Sequence, residues 1–490
     1  MKYILGIDIG TGSTKAVALN LNYEPIDSVQ HHYPLFSTMP GYSEQNPELI
    51  WEAFNQCISE MQMRMGGSPE AIGLSSAMHS LISVDEKGNA LAPMMTWADA
   101  RSSDIAKRIL ESESGMDLYQ QTGTPIHAMS PLCKLIWWQE NEAALFNRSY
   151  KFISIKEYIW YRLFKEFKVD HSIASCTGLF SWKTLTWDAN ALFLAGITEE
   201  QLSEPVSTSY QRKNEEGLVF VIGASDGCLA NLGSDVNGEG LAALTIGTSG
   251  AVRISSPKPI FNTAAMTFSY ILDENTFICG GPVNNGGIAL QWLLKNVLGK
   301  TELSTADYTT LFENIKTTLL GSNGLIFLPY LSGERAPIWD SGSCGTFFGL
   351  RLQHNQDHLS RAVLEGICYA LNEVLLILQP NTEAIGQLHV SGGFVHAKVW
   401  MEILADITGK EIVLLQTEDA SAIGAAYMAV KVIGLATDYP LSSGEKERIK
   451  PNPAHHKIYQ ELFSIYRQLY PALKFSMQQL EGFNQESLKQ

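Results

Sequence analysis

Residues 4–19 of the chain read ILGIDIGTGSTKAVAL. Two apolar, strand-like runs flank a turn rich in Gly, Ser and Thr, and Asp8 stands near the end of the first run. Glycines let a backbone approach a phosphate, hydroxyl and N–H groups donate to it, and a carboxylate can hold Mg²⁺ directly or through water. The stretch is interpreted either as a phosphate-binding hairpin with a metal ligand or as an ordinary hairpin, in which Gly10 and Gly12 serve only the turn.

A related pattern recurs in the middle of the chain. Residues 245–252 read TIGTSGAV and repeat much of residues 8–17, DIGTGSTKAV. A repeat of this period predicts two similar α/β halves, each contributing a phosphate-binding hairpin to a cleft between them. The predicted boundary lies near residues 237–241, so we expect domains at 1–240 and 241–490.

The composition narrows the class of protein. A chain of 490 residues is too long for one core, and 51 acidic against 35 basic residues give a net charge of −16, which disfavours nucleic acid as a partner. The 7 cysteines are scattered without a CxxC pair, so we expect reduced thiols and neither a disulfide framework nor a zinc site. With no signal peptide and no apolar run near the roughly 20 residues of a membrane helix, a soluble, cytoplasmic protein is predicted.

A second carboxylate follows a buried strand. Residues 220–223 read FVIG and continue into Ala-Ser-Asp-Gly, which places Asp226 at a strand tip just before the second hairpin. Phosphoryl transfer needs positioning, a metal and a base for the attacking hydroxyl, and a rigidly held strand-tip acid suits the base. The alternative is that Asp226 caps the following helix. The sequence contains neither a Gly-x4-Gly-Lys-Ser/Thr loop nor the protein-kinase signature set.

Two further segments are candidates for ligand contacts. Trp97, Asp99 and Arg101 combine an aromatic face with charged groups, as polyol sites do, but they also fit a helix start with Asp99 as a first-turn acid and Arg101 in a surface pair. Gly392 and Gly393 stand between a predicted strand and a helix at residues 398–408. They offer bare backbone to an adenosine, or they form a plain tight turn.

The chain resembles a known family over nearly its whole length. Residues 129–141, MSPLCKLIWWQEN, are similar to the first signature of the FGGY carbohydrate kinases, except at Trp138, where a smaller apolar residue is usual. Residues 345–365 are similar to the second signature, with Gly345, Phe347 and Glu365 among the positions in register. The resemblance implies an α/β fold of two ribonuclease H-like (actin-type ATPase) domains around a central cleft that binds ATP and a sugar.

Within that family, residues 75–80, 96–99, 124–127, 155–158, 170–175 and 281–287 resemble gluconokinases most. The resemblance then implies phosphorylation of D-gluconate to 6-phospho-D-gluconate by ATP with Mg²⁺, with Asp226 as the base and Asp8 positioning the metal. It assigns the phosphates to Gly10, Thr11, Gly12, Ser13, Thr14, Lys15, Gly247 and Thr248, the adenosine to Gly392 and Gly393, and the sugar to Met78, His79, Trp97, Asp99, His127 and Met129. Ala397 stands where relatives often carry Asn or Ser, which puts an adenine contact there in doubt.

Other functions stay open at the level of sequence. Xylulokinase, or another FGGY polyol or sugar kinase, is the alternative within the family, and a non-catalytic actin-like ATPase is the alternative from another class. Arg101, Lys134 and the histidines are local cations for the gluconate carboxylate, and the sequence does not choose among them. The expected partners are ATP and a small sugar or sugar acid, with no nucleic acid and no membrane; a homodimer is left open.

Overall fold

The protein is described from a computed structural model. It describes residues 2–379, 384–415, 419–441 and 446–487, with side chains up to residue 483 in the last segment. The strands are β1 (Ile4–Ile9), β2 (Ser13–Leu19), β3 (Pro25–His32), β4 (Glu44–Gln45), β5 (Ala71–Ser76), β6 (Ile82–Val84), β7 (Met94–Met95), β8 (Lys151–Ile153), β9 (Lys168–Asp170), β10 (Phe180–Ser181), β11 (Thr186–Trp187), β12 (Glu204–Val206), β13 (Gln211–Lys213), β14 (Val219–Ser225), β15 (Leu241–Ile246), β16 (Gly250–Ser256), β17 (Phe268–Asp273), β18 (Thr276–Val283), β19 (Ile326–Leu328), β20 (Thr346–Phe348), β21 (Gln387–Ser391), β22 (Glu411–Leu414) and β23 (Arg448–Ile449).

The helices are distributed among these strands along the chain. They are α1 (Pro47–Met65), α2 (Ser103–Glu111), α3 (Gly115–Thr122), α4 (Pro131–Asn141), α5 (Ala143–Arg148), α6 (Ile155–Phe164), α7 (His171–Ser175), α8 (Ala189–Ala195), α9 (Asp226–Gly233), α10 (Gly287–Trp292), α11 (Thr305–Thr317), α12 (Gln356–Leu378), α13 (Lys398–Thr408), α14 (Ala420–Val432) and α15 (Pro453–Ser487). Helix α13 has the bounds expected from the sequence. Helix α1 starts where Asn46 caps it and Pro47 takes the first turn, since Pro lacks the N–H that would go unpaired there.

The first sheet has the strand order β13-β14-β5-β1-β2-β3. The predicted hairpin at residues 4–19 is confirmed, because β1 and β2 pair antiparallel with Asp8 opposite Lys15. Strand β5 runs parallel to β1 on one side and to β14 on the other. The carboxyl ends of these three strands therefore meet at one edge of the sheet, which is where ligands bind in open α/β sheets.

Helices cover both faces of this sheet. Leu5 and Ile7 point into a core that α1 and α6 close, whereas Ile4 and Val17 point into a second core with α9 and α14. Helix α14 lies directly on the strands. A Cβ added at Gly6 would lie 1.8 Å from the carbonyl oxygen of Ala422, so only glycine permits this approach.

The hairpin repeat is also confirmed. Strands β15 and β16 pair antiparallel, and β21 runs parallel to β15, as β5 does to β1. Strand β22 continues the sheet parallel to β21, and β23 pairs antiparallel with β22. Thr245 lies opposite Ser391 in this arrangement, just as Asp8 lies opposite Ser75 in the first sheet.

The chain divides into two compact units. One consists of Met1–Asn237, Ser255–Cys279 and Asp419–Gly444, and the other of Gly238–Ile254, Gly280–Glu418 and Glu445–Gln490. The sequence-based domains at 1–240 and 241–490 stay a prediction. Within the described residues, no helix combines the length and apolar character that crossing a membrane requires.

Two local predictions need correction. Residues 81–97, with the turn-forming run Asp-Glu-Lys-Gly-Asn at 85–89, predict one strand hairpin, but β6 pairs with β8 and β7 pairs with β4. The two arms of this segment are joined by isolated bridges, Leu81 with Met95 and Val84 with Ala90. Apolar residues at helical spacing predict a closing helix over residues 456–473, and α15 is longer at both ends, from Pro453 to Ser487.

Candidate active site

The edge where β1, β5 and β14 end carries the two predicted carboxylates. Asp8 lies opposite Ser75, and Ser75 lies opposite Ala224 on its other side, two residues before Asp226. The Ser75 hydroxyl donates to Asp8 Oδ1 at 2.6 Å. The fold thus places the predicted metal ligand and the predicted base at the ends of strands that flank the same central strand.

Asp8 has the chemistry of a magnesium ligand. Burial raises the pKa of Asp8, while the Ser75 hydrogen bond and the charge of Lys15 oppose the rise. Gly10 adjoins the carboxylate, since a Cβ built on it would lie 3.6 Å from Asp8 Oδ2, an ordinary contact distance. The described residues contain no group of three or more His, Cys, Asp or Glu that could enclose a metal. A single carboxylate fits Mg²⁺, which protein sites commonly hold through one or two carboxylates, phosphates and water.

The turn of the first hairpin is held from several sides. Gly10 N–H donates to the Ser13 carbonyl oxygen at 3.0 Å, and Gln45 Nε2 donates to the Thr11 carbonyl oxygen at 2.6 Å. Gly12 is exposed, and an added Cβ there would meet no atom within 4 Å. The predicted phosphate turn is therefore a rigid loop with an open tip.

Lys15 and Thr14 face different surroundings within the same hairpin. Thr14 is fully buried, and its hydroxyl donates to Tyr33 Oη at 3.5 Å. The Lys15 ammonium forms an ion pair with Asp419 Oδ1 at 2.5 Å, with 25% of the lysine side chain and 20% of the aspartate side chain exposed. Part of the positive charge expected to face a phosphate is thus balanced by Asp419.

Asp226 opens helix α9. The N-cap of that helix is Ser225, so the alternative assignment of Asp226 as the N-cap is wrong. Asp226 is half-buried, its Oδ1 accepts the N–H of Gly227 at 2.7 Å, and its carbonyl oxygen accepts the hydroxyl of Ser421 at 3.1 Å. A carboxylate in the first turn of a helix interacts favourably with the helix dipole.

Met78 and His79 follow β5 and join the same edge. A Cβ at Gly227 would lie 3.0 Å from Met78 Cε, so Met78 packs beside the residue that follows Asp226. His79 has a positive φ of 64°, and its Nδ1 lies 2.8 Å from the carbonyl oxygen of Cys176. Because a carbonyl only accepts, Nδ1 carries a proton and donates it to Cys176. Nε2 lies 3.5 Å from Tyr270 Oη.

Trp97 and Asp99 lie on the loop after β7, and only Trp97 reaches the phosphate turn. The indole Nε1 of Trp97 donates to Thr11 Oγ1 at 3.0 Å. Asp99 is buried, with Oδ2 accepting Ser43 N–H at 2.9 Å and Arg101 Nη2 at 2.8 Å. The Asp99 carboxylate already accepts hydrogen bonds from these donors. Its predicted contact with the sugar stays a prediction.

Arg101 is not in a surface pair. Its side chain is 8% exposed, it donates to Glu44 Oε1 at 2.7 Å, and its guanidinium carbon lies 3.8 Å from the ring centre of Tyr42. Burial acts to lower the pKa of Arg101, but Asp99 and Glu44 outweigh burial and raise it. Helix α2 begins only at Ser103, so Asp99 is not its first-turn acid.

Lys134 is hydrogen-bonded to two segments that carry predicted sugar-binding residues. It is fully buried on α4, and its ammonium donates to the carbonyl oxygens of His79 at 2.6 Å and Thr96 at 2.7 Å. Burial lowers the pKa of Lys134 to about 7, with the charge of Asp99 acting in the opposite direction. Lys134 thus connects the His79 segment to the loop that carries Trp97.

His127 and Met129 precede α4. Met129 is buried, and its N–H donates to His127 Nδ1 at 3.1 Å. Since Nδ1 accepts this bond, the neutral imidazole carries its proton on Nε2. The Ser102 hydroxyl donates to the carbonyl oxygen of Ala128 at 3.0 Å, which fixes the segment between the two predicted residues.

The second hairpin turn is tied to a helix start within the other unit. Gly287 N–H donates to the Gly247 carbonyl oxygen at 2.7 Å, and Gly286 N–H donates to the Thr248 carbonyl oxygen at 3.1 Å. A Cβ at Gly286 would lie 2.5 Å from the carbonyl oxygen of Ser249. These two glycines allow the start of α10 to contact the turn, while Thr248 itself is exposed.

Gly392 and Gly393 differ sharply in their surroundings. Gly392 has a φ of 115°, and an added Cβ would lie 2.1 Å from the Ile246 carbonyl oxygen, one residue before Gly247. Gly393 is exposed, and a Cβ there would meet no atom within 4 Å. The first glycine is needed by the fold, and the second leaves bare backbone open to a ligand. Ala397 is buried at the start of α13.

Several residues that contact the predicted site residues are marked by little or no local sequence pattern. Residues 71–79 predict a buried strand with a polar tip, which includes Ser75 but gives it no role, and Lys156 and Asp170 lie in segments that only resemble relatives. Asp419 is 404 residues from Lys15, and no local pattern marks it. Pairings at such separations depend on the tertiary fold, which sequence periodicity does not report.

Known proteins match this chain along most of its length. Residues 3–233 match the N-terminal domain, and residues 242–432 the C-terminal domain, of the FGGY family of carbohydrate kinases. A gluconokinase of Bacillus licheniformis is 38% identical, with 98% of each chain covered. A xylulose kinase of Staphylococcus xylosus is 30% identical, covering 96% of this chain and all of the relative.

Solved structures agree with the sequence comparison. A gluconate kinase from Lactobacillus acidophilus superposes with a TM-score of 0.91 at 32% identity, over 98% of this chain and 99% of that one. A xylulose kinase from the same organism gives 0.92 at 32% identity, over 98% and 100%. The expected α/β fold of the ribonuclease H-like, actin-type class is confirmed. The chain belongs to the FGGY family of carbohydrate kinases.

Proposed function

We propose that the protein is a cytoplasmic gluconokinase, which transfers the γ-phosphoryl group of ATP to the 6-hydroxyl of D-gluconate. The observation that carries this proposal is the 38% identity to a gluconokinase over 98% of both chains, against 30% to a xylulose kinase. Structural likeness does not separate the two substrates, because the two Lactobacillus acidophilus enzymes superpose equally well. Relatives that share a fold differ in a few pocket side chains, so the substrate is decided there.

Asp226 is proposed as the base for the substrate hydroxyl. Its carboxylate takes the proton as the hydroxyl oxygen bonds to the γ-phosphorus, the bond from that phosphorus to the bridging oxygen breaks, and ADP leaves. The half-buried position of Asp226 at the start of α9 supports this role. Mg²⁺, positioned by Asp8, would neutralise charge on the phosphates.

The remaining predicted residues keep their proposed roles. Gly10 to Lys15 and Gly247 with Thr248 would donate to phosphate oxygens, and Gly393 would lie against the adenosine with Gly392 shaping the turn. Met78, His79, Trp97, Asp99, His127 and Met129 would bind the sugar. Arg101 and Lys134 donate to protein acceptors, and a histidine is proposed as the group that pairs the gluconate carboxylate. His127, which carries its neutral-form proton on Nε2, supplies a suitable donor.

The test identifies the product and the base together. Purified protein is given ATP, Mg²⁺ and D-gluconate, and 6-phospho-D-gluconate is detected through NADPH formed by its specific dehydrogenase. We expect product with the wild type and a loss of at least about 100-fold in kcat for Asp226→Ala, with nucleotide binding by calorimetry retained. ATP hydrolysis that needs no sugar and survives Asp226→Ala would instead support the alternative of an actin-like ATPase that does not phosphorylate a sugar.

A further inference from the structure

A buried polar cluster lies behind Asp226 and includes no predicted site residue. We propose that Lys156, Asp170 and Ser172 form a positioning cluster that holds the end of β14, and with it the carboxylate of Asp226, in the geometry needed for proton removal. The inference rests on the proposed role of Asp226 as the base. None of the three residues is proposed to touch a substrate.

Lys156 supplies the first fixed point. Its side chain is 1% exposed on α6, and its ammonium donates to the carbonyl oxygen of Ala224 at 2.7 Å. Ala224 lies two residues before Asp226 and is the next-to-last residue of β14, at the edge of the sheet. A buried charge with a strong carbonyl acceptor holds that peptide more firmly than a neutral hydrogen bond does.

Asp170 balances the buried lysine. Its carboxylate is fully buried and accepts the Lys156 ammonium on Oδ2 at 2.8 Å, while Oδ1 accepts Ile173 N–H at 2.9 Å. Both oxygens therefore have partners, as a buried ion pair requires if it is not to be strongly destabilising. A cluster this completely bonded has one geometry, and it passes that geometry on to β14.

Ser172 supplies the second fixed point, one residue further along. Its Oγ accepts the Ser225 backbone N–H at 3.1 Å and lies 3.1 Å from the Ser225 hydroxyl, to which it donates. Both serines are fully buried. Lys156 and Ser172 thus hold the two consecutive residues that precede Asp226, so the direction of the Asp226 side chain depends on them.

A packing role alone would not place these bonds on the backbone that precedes the base. The positioning role makes a distinct kinetic claim: the cluster acts on the chemical step, and neither substrate contacts it. Displacing a catalytic group by about 1 Å can cost 100-fold in rate. The expected signature is therefore a lower kcat with unchanged KM for both substrates.

The experiment uses the full chain with Lys156→Met, Ser172→Ala and a matched control, Ser83→Ala. Ser83 is fully buried in the same unit, and its hydroxyl bonds to that of Ser149 at 2.6 Å, so the control also loses one buried hydroxyl pair. We expect kcat to fall by about 100-fold for Lys156→Met and about five- to tenfold for Ser172→Ala, with both KM values within about twofold of wild type. Ser83→Ala should keep the wild-type kcat even if its melting temperature falls.

Kinetics and thermal melts together decide the outcome. If Lys156→Met does not fold, Ser172→Ala decides, since it removes only one hydroxyl. A folded Ser172→Ala with the kcat of Ser83→Ala, or with a raised KM and normal kcat, overturns the inference. Asp226→Asn runs in parallel: if it stays active, the proposed base is wrong, whereas an inactive Asp226→Asn beside fully active cluster variants refutes only the positioning role.

Discussion

The indole N–H of Trp97 donates to the hydroxyl of Thr11 at 3.0 Å. This bond joins a residue predicted to bind sugar to a residue predicted to bind phosphate, although 86 positions separate them. A sugar that contacts the Trp97 ring would thereby steady the turn that holds the phosphates. The two predicted subsites of this unit are physically linked, and the link can be broken by a single substitution.

Trp97→Phe removes the N–H and keeps an aromatic face. We expect kcat/KM for gluconate to fall by about five- to tenfold, because one hydrogen bond of ordinary strength is lost, and KM for ATP to rise with it. Steady-state kinetics with each substrate varied will show this. Trp187→Phe is the matched control, since its Nε1 also donates at 3.0 Å, to the Ser203 carbonyl oxygen. Identical kinetics of the two variants would contradict the link.

Lys134 makes stability depend on pH in a defined direction. Its folded pKa of about 7 lies below the unfolded value near 10.5, so the unfolded chain binds more protons between these pH values. Stability should therefore rise from about pH 7 to about pH 10, and the burial penalty is complete below pH 7. Urea unfolding of wild type and Lys134→Met between pH 7 and 9.5 isolates this contribution. Equal slopes in the two proteins would show that Lys134 is not the group responsible.

Lys134→Met should also affect the sugar more than the nucleotide. The ammonium joins the backbone of His79 to that of Thr96, so its loss lets two sugar-binding segments move apart. We expect KM for gluconate to rise by about tenfold, as for a lost charged hydrogen bond, with little change in KM for ATP. A comparable rise in both KM values would point to general destabilisation.

The paired glycines predict opposite results for neighbouring substitutions. Gly393→Ala meets no atom, so the protein should fold with a wild-type melting temperature, and KM for ATP should rise if adenosine lies on this backbone. Gly392→Ala forces a Cβ to within 2.1 Å of the Ile246 carbonyl oxygen at a positive φ, so it should lower the melting temperature. Thermal melts and ATP titrations check both. Normal ATP binding by Gly393→Ala would remove it from the adenosine site.

Asp8 predicts the metal dependence. Asp8→Asn keeps an acceptor for Ser75 and loses the charge, so turnover should fall by at least about 100-fold and need more Mg²⁺ for half-maximal rate. Treatment with EDTA should abolish wild-type activity, and added Mg²⁺ should restore it. Ser75→Ala, which leaves the carboxylate in place, should lower turnover much less. Full activity of Asp8→Asn at low Mg²⁺ would exclude Asp8 from the metal site.

Local patterns predicted the scaffold well and the pairings poorly. Both hairpins and the helix at residues 398–408 follow from alternation, glycine placement and helical spacing, which act over a few residues. The ion pair of Lys15 with Asp419 and the burial of Arg101 depend on which distant segments pack together. The sequence is compatible with Arg101 in a surface ion pair, because no local pattern indicates that Tyr42 and Glu44 enclose its side chain.

The proposal that D-gluconate is the substrate is tested most directly by comparing the turnover of candidate sugars. ADP release is measured with D-gluconate, D-xylulose and glycerol at saturating ATP and Mg²⁺, and kcat/KM is compared on one enzyme preparation. We expect kcat/KM for D-gluconate to exceed that for each of the other sugars by about 100-fold or more, since a pocket built to pair a carboxylate rejects substrates that lack one. A higher kcat/KM for D-xylulose or glycerol than for D-gluconate would contradict it.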